Sequence, residues 1–414
     1  MSEAAPVAAE ADAPAPANAR PAARVGEIAA AFLRLGCTCF GGPLAHLGYF
    51  HDEFVRRRRW LSDAAFADLI ALCQFLPGPA SSQAVFGLGL MRGGWAGAVT
   101  ASLCFTLPSA LLMIGFAYGV ASLGDVAHAG WLHGLKLAAV AVVAQAVWGM
   151  GRSLCPDRPR QSIAAAAAAA LIVWPGAAAQ LLAILAGAAA GWILFRRSTT
   201  PAAAHIVAVR ASRRVAAVVL TLYLALLAGL PLAARTAGAP MGVAVFDRFY
   251  RAGALVFGGG HVVLPLLRAE VVRPGWVPDD LFLAGYAAAQ ALPGPLFTFA
   301  GYVGVLLPGR VGGWPGGVMC VVAIFLPGLL LMAAALPLWQ RARAWPAASA
   351  AMAGANAAVV GVLLAALVDP VAAQTIRSAA DVAAALVAFT LLVTWRTPAW
   401  AVVLAAAAVG YLAM

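Results

Sequence analysis

Gln74-Phe75-Leu76-Pro77-Gly78-Pro79-Ala80-Ser81-Ser82-Gln83 cuts through one apolar run, and Gln290-Ala291-Leu292-Pro293-Gly294-Pro295-Leu296-Phe297-Thr298 cuts through another 216 positions later. Proline removes a backbone donor and glycine disfavours the helix, so each stretch is a helix break. Its surroundings make the break informative. Of the 414 residues, 63% are hydrophobic and only 10% charged, whereas a soluble domain carries roughly 25% charged residues. A chain this apolar faces lipid over most of its exterior. Inside a bilayer, an interrupted helix exposes N–H and C=O groups at a cost of several kcal/mol each. Such breaks persist only where protein or a water-filled cavity satisfies those groups.

Outward from these stretches the chain repeats. Phe32-Leu33-Arg34-Leu35-Gly36…Phe40-Gly41-Gly42 returns as Phe249-Tyr250-Arg251-Ala252-Gly253…Phe257-Gly258-Gly259. Trp60, Asp63 and Phe66 match Trp276, Asp279 and Phe282, Gly93-Gly94-Trp95 matches Gly312-Gly313-Trp314, and Pro108 answers Pro327. Broken apolar segments therefore lie near 28–50, 64–90, 249–268 and 281–306. Unbroken ones, near the length of about 20 residues that crosses a bilayer, lie near 96–120, 131–150, 162–175, 177–195, 215–233, 314–336, 352–368, 380–395 and 398–413.

The expected fold is an all-α integral membrane protein. It has two homologous halves in inverted topology, each with two broken, re-entrant helices and about four spanning helices, plus a linking helix. Residues 1–24, rich in Ala and Pro without a secretory pattern, read as a disordered cytoplasmic tail. The first repeat occupies 25–195, a basic cytoplasmic linker with the linking helix 196–240, and the second repeat 241–414. With the N-terminus inside and the broken segments re-entrant, Arg56 to Arg59, Arg92, Arg152, Arg158, Arg160, the 196–214 linker, Arg341, Arg343 and Arg396 are cytoplasmic, as positive charge requires. If the broken segments cross fully, the run Arg56–Arg59 lies outside, against that rule.

The net charge of +11 is spread between apolar runs rather than over a soluble face, so nucleic acid is not an expected partner. Six cysteines form no CxxC pair and no zinc spacing, and neither a metal nor a cofactor is expected. P-loop, dinucleotide-binding and HExxH patterns are absent from the sequence, so transport energy has to come from ion or voltage gradients.

The breaks carry the chemistry. A helix N-terminus offers about half a positive charge and free N–H donors, which suits an anion, and inverted-repeat carriers place such ends at the membrane midplane. In the first half the candidate substrate-binding residues are Gln74, Pro77, Gly78, Pro79, Ser81, Ser82 and Gln83, with Gly41, Gly42, Pro43 and His46 at the other break. In the second half they are Gln290, Pro293, Gly294, Pro295 and Thr298, with Gly258, Gly259, Gly260 and His261. The plainer reading makes the Pro-Gly pairs packing kinks and each His a buried or interfacial residue. Arg34 and Arg251 match across the repeat. An arginine in an apolar segment is either a site for a tetrahedral oxyanion or a side chain snorkelling to headgroups. Lys136, the only lysine, reads as snorkelling. Glu53 and Glu270 match and lie beside basic residues, so they read as a structural ion pair or cap rather than as proton couplers.

At Phe40-Gly-Gly-Pro43-Leu-Ala-His46, the Arg56–Trp60 run, Gln74 to Gln83, Phe257-Gly-Gly-Gly-His261-Val-Val-Leu-Pro265 and Ala289 to Thr298 the sequence resembles the chromate ion transporter family in its long two-domain form. The resemblance covers nearly all of the chain beyond the N-terminal tail. It implies a secondary transporter exporting chromate across the bacterial inner membrane and conferring chromate resistance, with sulfate as a competing analogue. Carriage of sulfate or another oxyanion, in either direction, stays open beside it. The expected partners are the oxyanion, the lipid bilayer and, for a coupled carrier, protons; a homodimer is compatible with the sequence. A membrane enzyme acting on lipid phosphates would need converging acids or a metal site, which the sequence lacks. A channel would differ in giving non-saturable flux.

Overall fold

The computed structural model describes residues 21–40, 42–122, 130–196, 213–257, 260–337 and 346–413. Among them the regular structure is entirely helical. Gly41, Gly258 and Gly259 lie outside the described residues, as does the expected tail up to residue 20. The last four tail residues instead open helix α1 (Pro21–Thr38). Proline suits that first position because its missing N–H would be unpaired there in any case.

In the first half α1 is followed by α2 (Gly42–His51), prolonged by a wide turn over Asp52–Arg57, and α3 (Asp63–Phe75). Next comes α4 (Ala80–Ser122), bent at Gly94 with φ 63° and ψ −155°. Then follow α5 (Gly130–Leu154), α6 (Arg158–Val173) and α7 (Ala177–Phe195). Helix α8 (Arg213–Ala234) links the halves. The second half starts with α9 (Met241–Ala254), the turn Gly260–Val262 leading into α10 (Val263–Val271), and α11 (Asp279–Ala291). The turn Leu296–Thr298 leads into α12 (Phe299–Val305), followed by α13 (Gly313–Ala335), α14 (Pro346–Ala366), α15 (Ala379–Val393) and α16 (Ala399–Ala413). Among the described residues six helices, α4, α5, α7, α8, α13 and α14 with its continuation, are long and apolar enough to cross a membrane.

At every break the chain folds back on itself. A Cβ on Gly87 of α4 would lie 2.8 Å from Leu69 of α3, six residues before the end of that helix. The matched Gly285 of α11 lies against the Tyr302 ring of α12. The Phe32 ring on α1 sits 4.9 Å from Phe54 beyond α2, and Arg251 on α9 reaches Glu270 on α10 at 3.4 Å. Each half therefore opens with two helical hairpins, α1/α2 and α3/α4 in the first, α9/α10 and α11/α12 in the second.

The remaining helices interlock the halves reciprocally. Helix α7 packs on α14, and its repeat counterpart α16 packs on α5, the counterpart of α14. Both crossings are built from small residues at the same positions. Gly354 meets Gly187 and Gly191, while Gly134 meets Ala406 and Ala407 and Gly410 meets Gly130. Lipid chains are as apolar as leucine, so burial drives helices together weakly there, and close backbone approach through small residues supplies the attraction instead. The outward faces carry Leu103, Leu107 and Leu111 on α4 and Leu182 and Leu185 on α7, all between 44% and 65% exposed. These are the lipid-facing stripes that the composition requires.

Charges collect at the outer ends of the hairpins. Glu53, only 8% exposed, accepts from Arg57 at 2.8 Å and Arg58 at 2.6 Å. Lys136 departs from the snorkelling expectation: it is 2% exposed and donates to Asp280 of the other half at 2.8 Å. A buried ammonium needs such a partner, because an uncompensated charge is far costlier than the pairing.

Candidate functional site

The four hairpins point their tips at one another. The Gly78 N–H, in the α3/α4 tip, donates to the Val256 carbonyl at the α9/α10 tip, 2.7 Å away. The Gly294 N–H, in the α11/α12 tip, donates to the Cys39 carbonyl at the α1/α2 tip, 2.8 Å away. These two bonds join equivalent atoms of exchanged halves. The tips of α1/α2 and α9/α10 meet as well, since a Cβ on Gly42 would lie 4.0 Å from His261 Nε2.

Only glycine fits two of these corners. Gly78 has φ 121° and Gly294 φ 95°, a backbone region that side chains rarely adopt. The space is closed too. A Cβ on Gly78 would come 3.0 Å from the Gly328 Cα, and one on Gly294 would come 2.8 Å from Ser109 Oγ. Gly328 follows Pro327 on α13 and Ser109 follows Pro108 on α4, so each tip abuts the residue after the intrahelical proline of the opposite half.

Donors gather where the second arms begin. The α4 ladder starts with the Gln83 N–H on the Pro79 carbonyl at 2.9 Å, which leaves the N–H groups of Ala80, Ser81 and Ser82 ahead of it. Ser81, Ser82 and Gln83 are all buried. Gln83 clamps the tip, its Nε2 donating to the Pro77 carbonyl at 2.8 Å and the Gly328 carbonyl at 3.3 Å. Pro79 is buried and Pro77 half-buried. In the second half Pro293 and Pro295 are buried, and the Thr298 hydroxyl donates to the Pro295 carbonyl at 2.9 Å. That hydroxyl is spent on its own turn.

The two glutamines differ. Gln74 is exposed, whereas Gln290 is buried with its Nε2 3.5 Å from His261 Nδ1. His261 also meets the Tyr286 hydroxyl at 2.8 Å through Nδ1. His46 sits apart from that cluster, fully buried with its ring 5.6 Å from Phe105 and 6.2 Å from Phe50. Gly42 opens α2 and Pro43 follows it; Gly260 opens the turn into α10.

The matched arginines are engaged by carboxylates. Arg251 makes a two-pronged pair with Asp247, at 3.0 and 2.9 Å, besides its contact with Glu270. Arg34 reaches Glu53 at 3.9 Å and is 59% exposed. The expected ion-pair role of Glu53 and Glu270 is what the structure displays. Residues that sequence reasoning passed over are Cys39 and Val256, which act through carbonyls, Ser109 and Gly328, which touch the tips, and Tyr286. The landmarks Pro108 and Pro327 were the available signal for Ser109 and Gly328.

Two repeated halves of apolar helices, each with a pair of broken hairpins whose tips meet those of the other half, form a multi-pass helical membrane protein. The family model described as Chromate transporter matches residues 26–192 and again 243–411, one match per half with α8 left between them. The chain belongs to the chromate transporter family. It is 28% identical over 356 residues to the probable chromate transport protein of Synechococcus elongatus, covering 85% of this chain and 86% of that one. It is 32% identical over 304 residues to the chromate transport protein of Pseudomonas aeruginosa, 73% and 70% of the two chains. To that of Cupriavidus metallidurans it is 27% identical over 363 residues, 86% and 84%. No solved structure matches.

Proposed function

We propose that the chain is a secondary transporter that carries chromate out of the cell across the bacterial plasma membrane, and so confers chromate resistance. The crossed pair of hydrogen bonds, Gly78 to Val256 and Gly294 to Cys39, carries this reading. It supports a single central site made of four backbone tips, where helix N-termini supply donors without a competing positive side chain. A tetrahedral dianion is held there by several weak donors and can leave again, which a fixed Arg fork would oppose.

The topology follows from the same features. With hairpins that enter and leave on one side, each half crosses the membrane four times, and α8 adds one crossing, so the second half is inverted. The exposed Gln74 against the buried Gln290 supports a conformation open to one side, and exchange of the two environments is the transport step. Leaving a negative-inside cell, a dianion gains about 2.3 kcal/mol per charge per 100 mV, so voltage favours export, by itself or together with proton exchange.

Inside-out membrane vesicles containing the chain are expected to accumulate chromate saturably, faster with an inside-positive potential, and to be inhibited by excess sulfate. Accumulation no greater than in vesicles lacking the chain would overturn the chromate reading. Accumulation of labelled sulfate in those same vesicles would reassign the cargo.

A further inference from the structure

Of the polar cluster at the second-half tips, only Gln290 has a matched polar residue in the first half, Gln74. Tyr286 is fully buried and stands on α11 four residues before Gln290, so the two share one helix face. Its hydroxyl lies 2.8 Å from His261 Nδ1, and Gln290 Nε2 approaches the same nitrogen at 3.5 Å. An amide nitrogen only donates, and a buried phenol needs somewhere to place its proton. Imidazole Nδ1 has one in-plane lone pair, and Gln290 also hydrogen-bonds the Tyr286 side chain. With the amide donating to the phenol oxygen, the hydroxyl 2.8 Å away donates its own proton to Nδ1. A neutral imidazole carries one ring proton, so with Nδ1 accepting that proton sits on Nε2. Nε2 is the nitrogen that faces the Gly42 corner of the opposite half, 4.0 Å from where a Cβ on Gly42 would lie. At the matched positions the first half has Leu44 and Ile70, which can make no such relay.

We infer that Tyr286 is a positioning residue that fixes His261 as the Nε2–H tautomer and thereby makes it an uncharged donor aimed into the tip junction, selective for a fully ionised tetrahedral oxyanion. This rests on the carrier reading above. A neutral N–H adds a directed bond to an oxyanion oxygen but no counter-charge, so it favours guests that have a free acceptor at that point. It also makes the site lopsided, with one side-chain donor supplied by the second half alone.

The test is a cycle of Tyr286→Phe and His261→Gln in the full chain, reconstituted in liposomes and assayed with labelled chromate. Glutamine offers an N–H near the Nε2 position but has no tautomer to fix. Tyr286→Phe is expected to raise KM about tenfold with the maximal rate within about twofold, as loss of one directed hydrogen bond implies. In the His261→Gln background the same change is expected to leave KM where His261→Gln alone puts it. An equal loss from Tyr286→Phe in both backgrounds would make Tyr286 merely structural and overturn the inference, as would an unchanged KM in the single variant. Nitrogen NMR of the histidine-labelled chain, with the His261→Gln difference identifying the signal, reads the tautomer without transport. The expected result is Nε2–H in the unaltered chain and a mixture in Tyr286→Phe, and Nδ1–H in the unaltered chain would refute the proposal. Nε2–H in a chain that moves no chromate would locate the failure in the carrier reading instead.

Discussion

Gly78→Val and Gly294→Val are each expected to cut chromate flux about 100-fold while leaving membrane insertion and helix content unchanged. Both glycines sit at positive φ, 121° and 95°, where a β-branched residue is strained by roughly 1–3 kcal/mol. Each would also press a side chain into its neighbour, Gly328 in one case and Ser109 in the other, at 3.0 Å and 2.8 Å from the first added carbon. The tip has to move, and it takes with it the N–H bond to Val256 or Cys39. About 3 kcal/mol lost at the site corresponds to roughly a hundredfold loss. The hairpin arms keep their own packing, Leu69 against Gly87 and Gly285 against Tyr302, so the damage stays at the corner. Flux measured in vesicles, beside circular dichroism and detergent gel filtration of the same protein, checks it. Undiminished flux in both variants would remove the tips from the transport site.

The second large effect is on assembly. Gly354→Leu is expected to abolish the folded protein, because the added side chain would enter the backbone of Gly187 and Gly191 where α14 crosses α7. Overpacking a tight core costs typically 1–3 kcal/mol and sometimes more, and here the obstacle is main chain, which cannot rotate aside. Gly115→Leu is the matched control, since a Cβ there meets nothing within 4 Å. Fluorescence-detected gel filtration in mild detergent is expected to give an aggregated or lost peak for Gly354→Leu and a normal one for Gly115→Leu. A normal peak for Gly354→Leu would mean that the small-residue crossing does not hold the halves together.

Much of this architecture was legible in the sequence. Proline and glycine at Pro77-Gly78 and Pro293-Gly294 announce a break in any apolar run, and their recurrence with Trp60/Trp276 and Asp63/Asp279 announces two halves. The spans near 96–120 and 177–195 appear as the second arm of α4 and as α7 almost to the residue, since lipid tolerates little besides an unbroken apolar helix. The hidden part was which atoms meet. The acceptors at Cys39 and Val256 are carbonyls, and every residue has one, so no residue type marks them. Tyr286 matches Ile70 and was invisible to repeat logic, which finds only what both halves keep. Arg34 and Arg251 stand 3.9 and 3.4 Å from the matched Glu53 and Glu270, a proximity that spacing along the chain does not reveal. Lys136 misled for a related reason: its partner Asp280 belongs to the other half, and the first-half residue matched to Asp280 is Ala64.

Transport through the tips requires the anion to sit between them. Chromium scatters anomalously, so crystals of the full chain soaked in chromate and measured at the chromium absorption edge locate it directly. The expected result is one peak enclosed by Gly42, Gly78, Gly294 and His261, lost in Gly294→Val. A peak confined to the exposed arginines Arg56 and Arg57, with nothing between the tips, would contradict it.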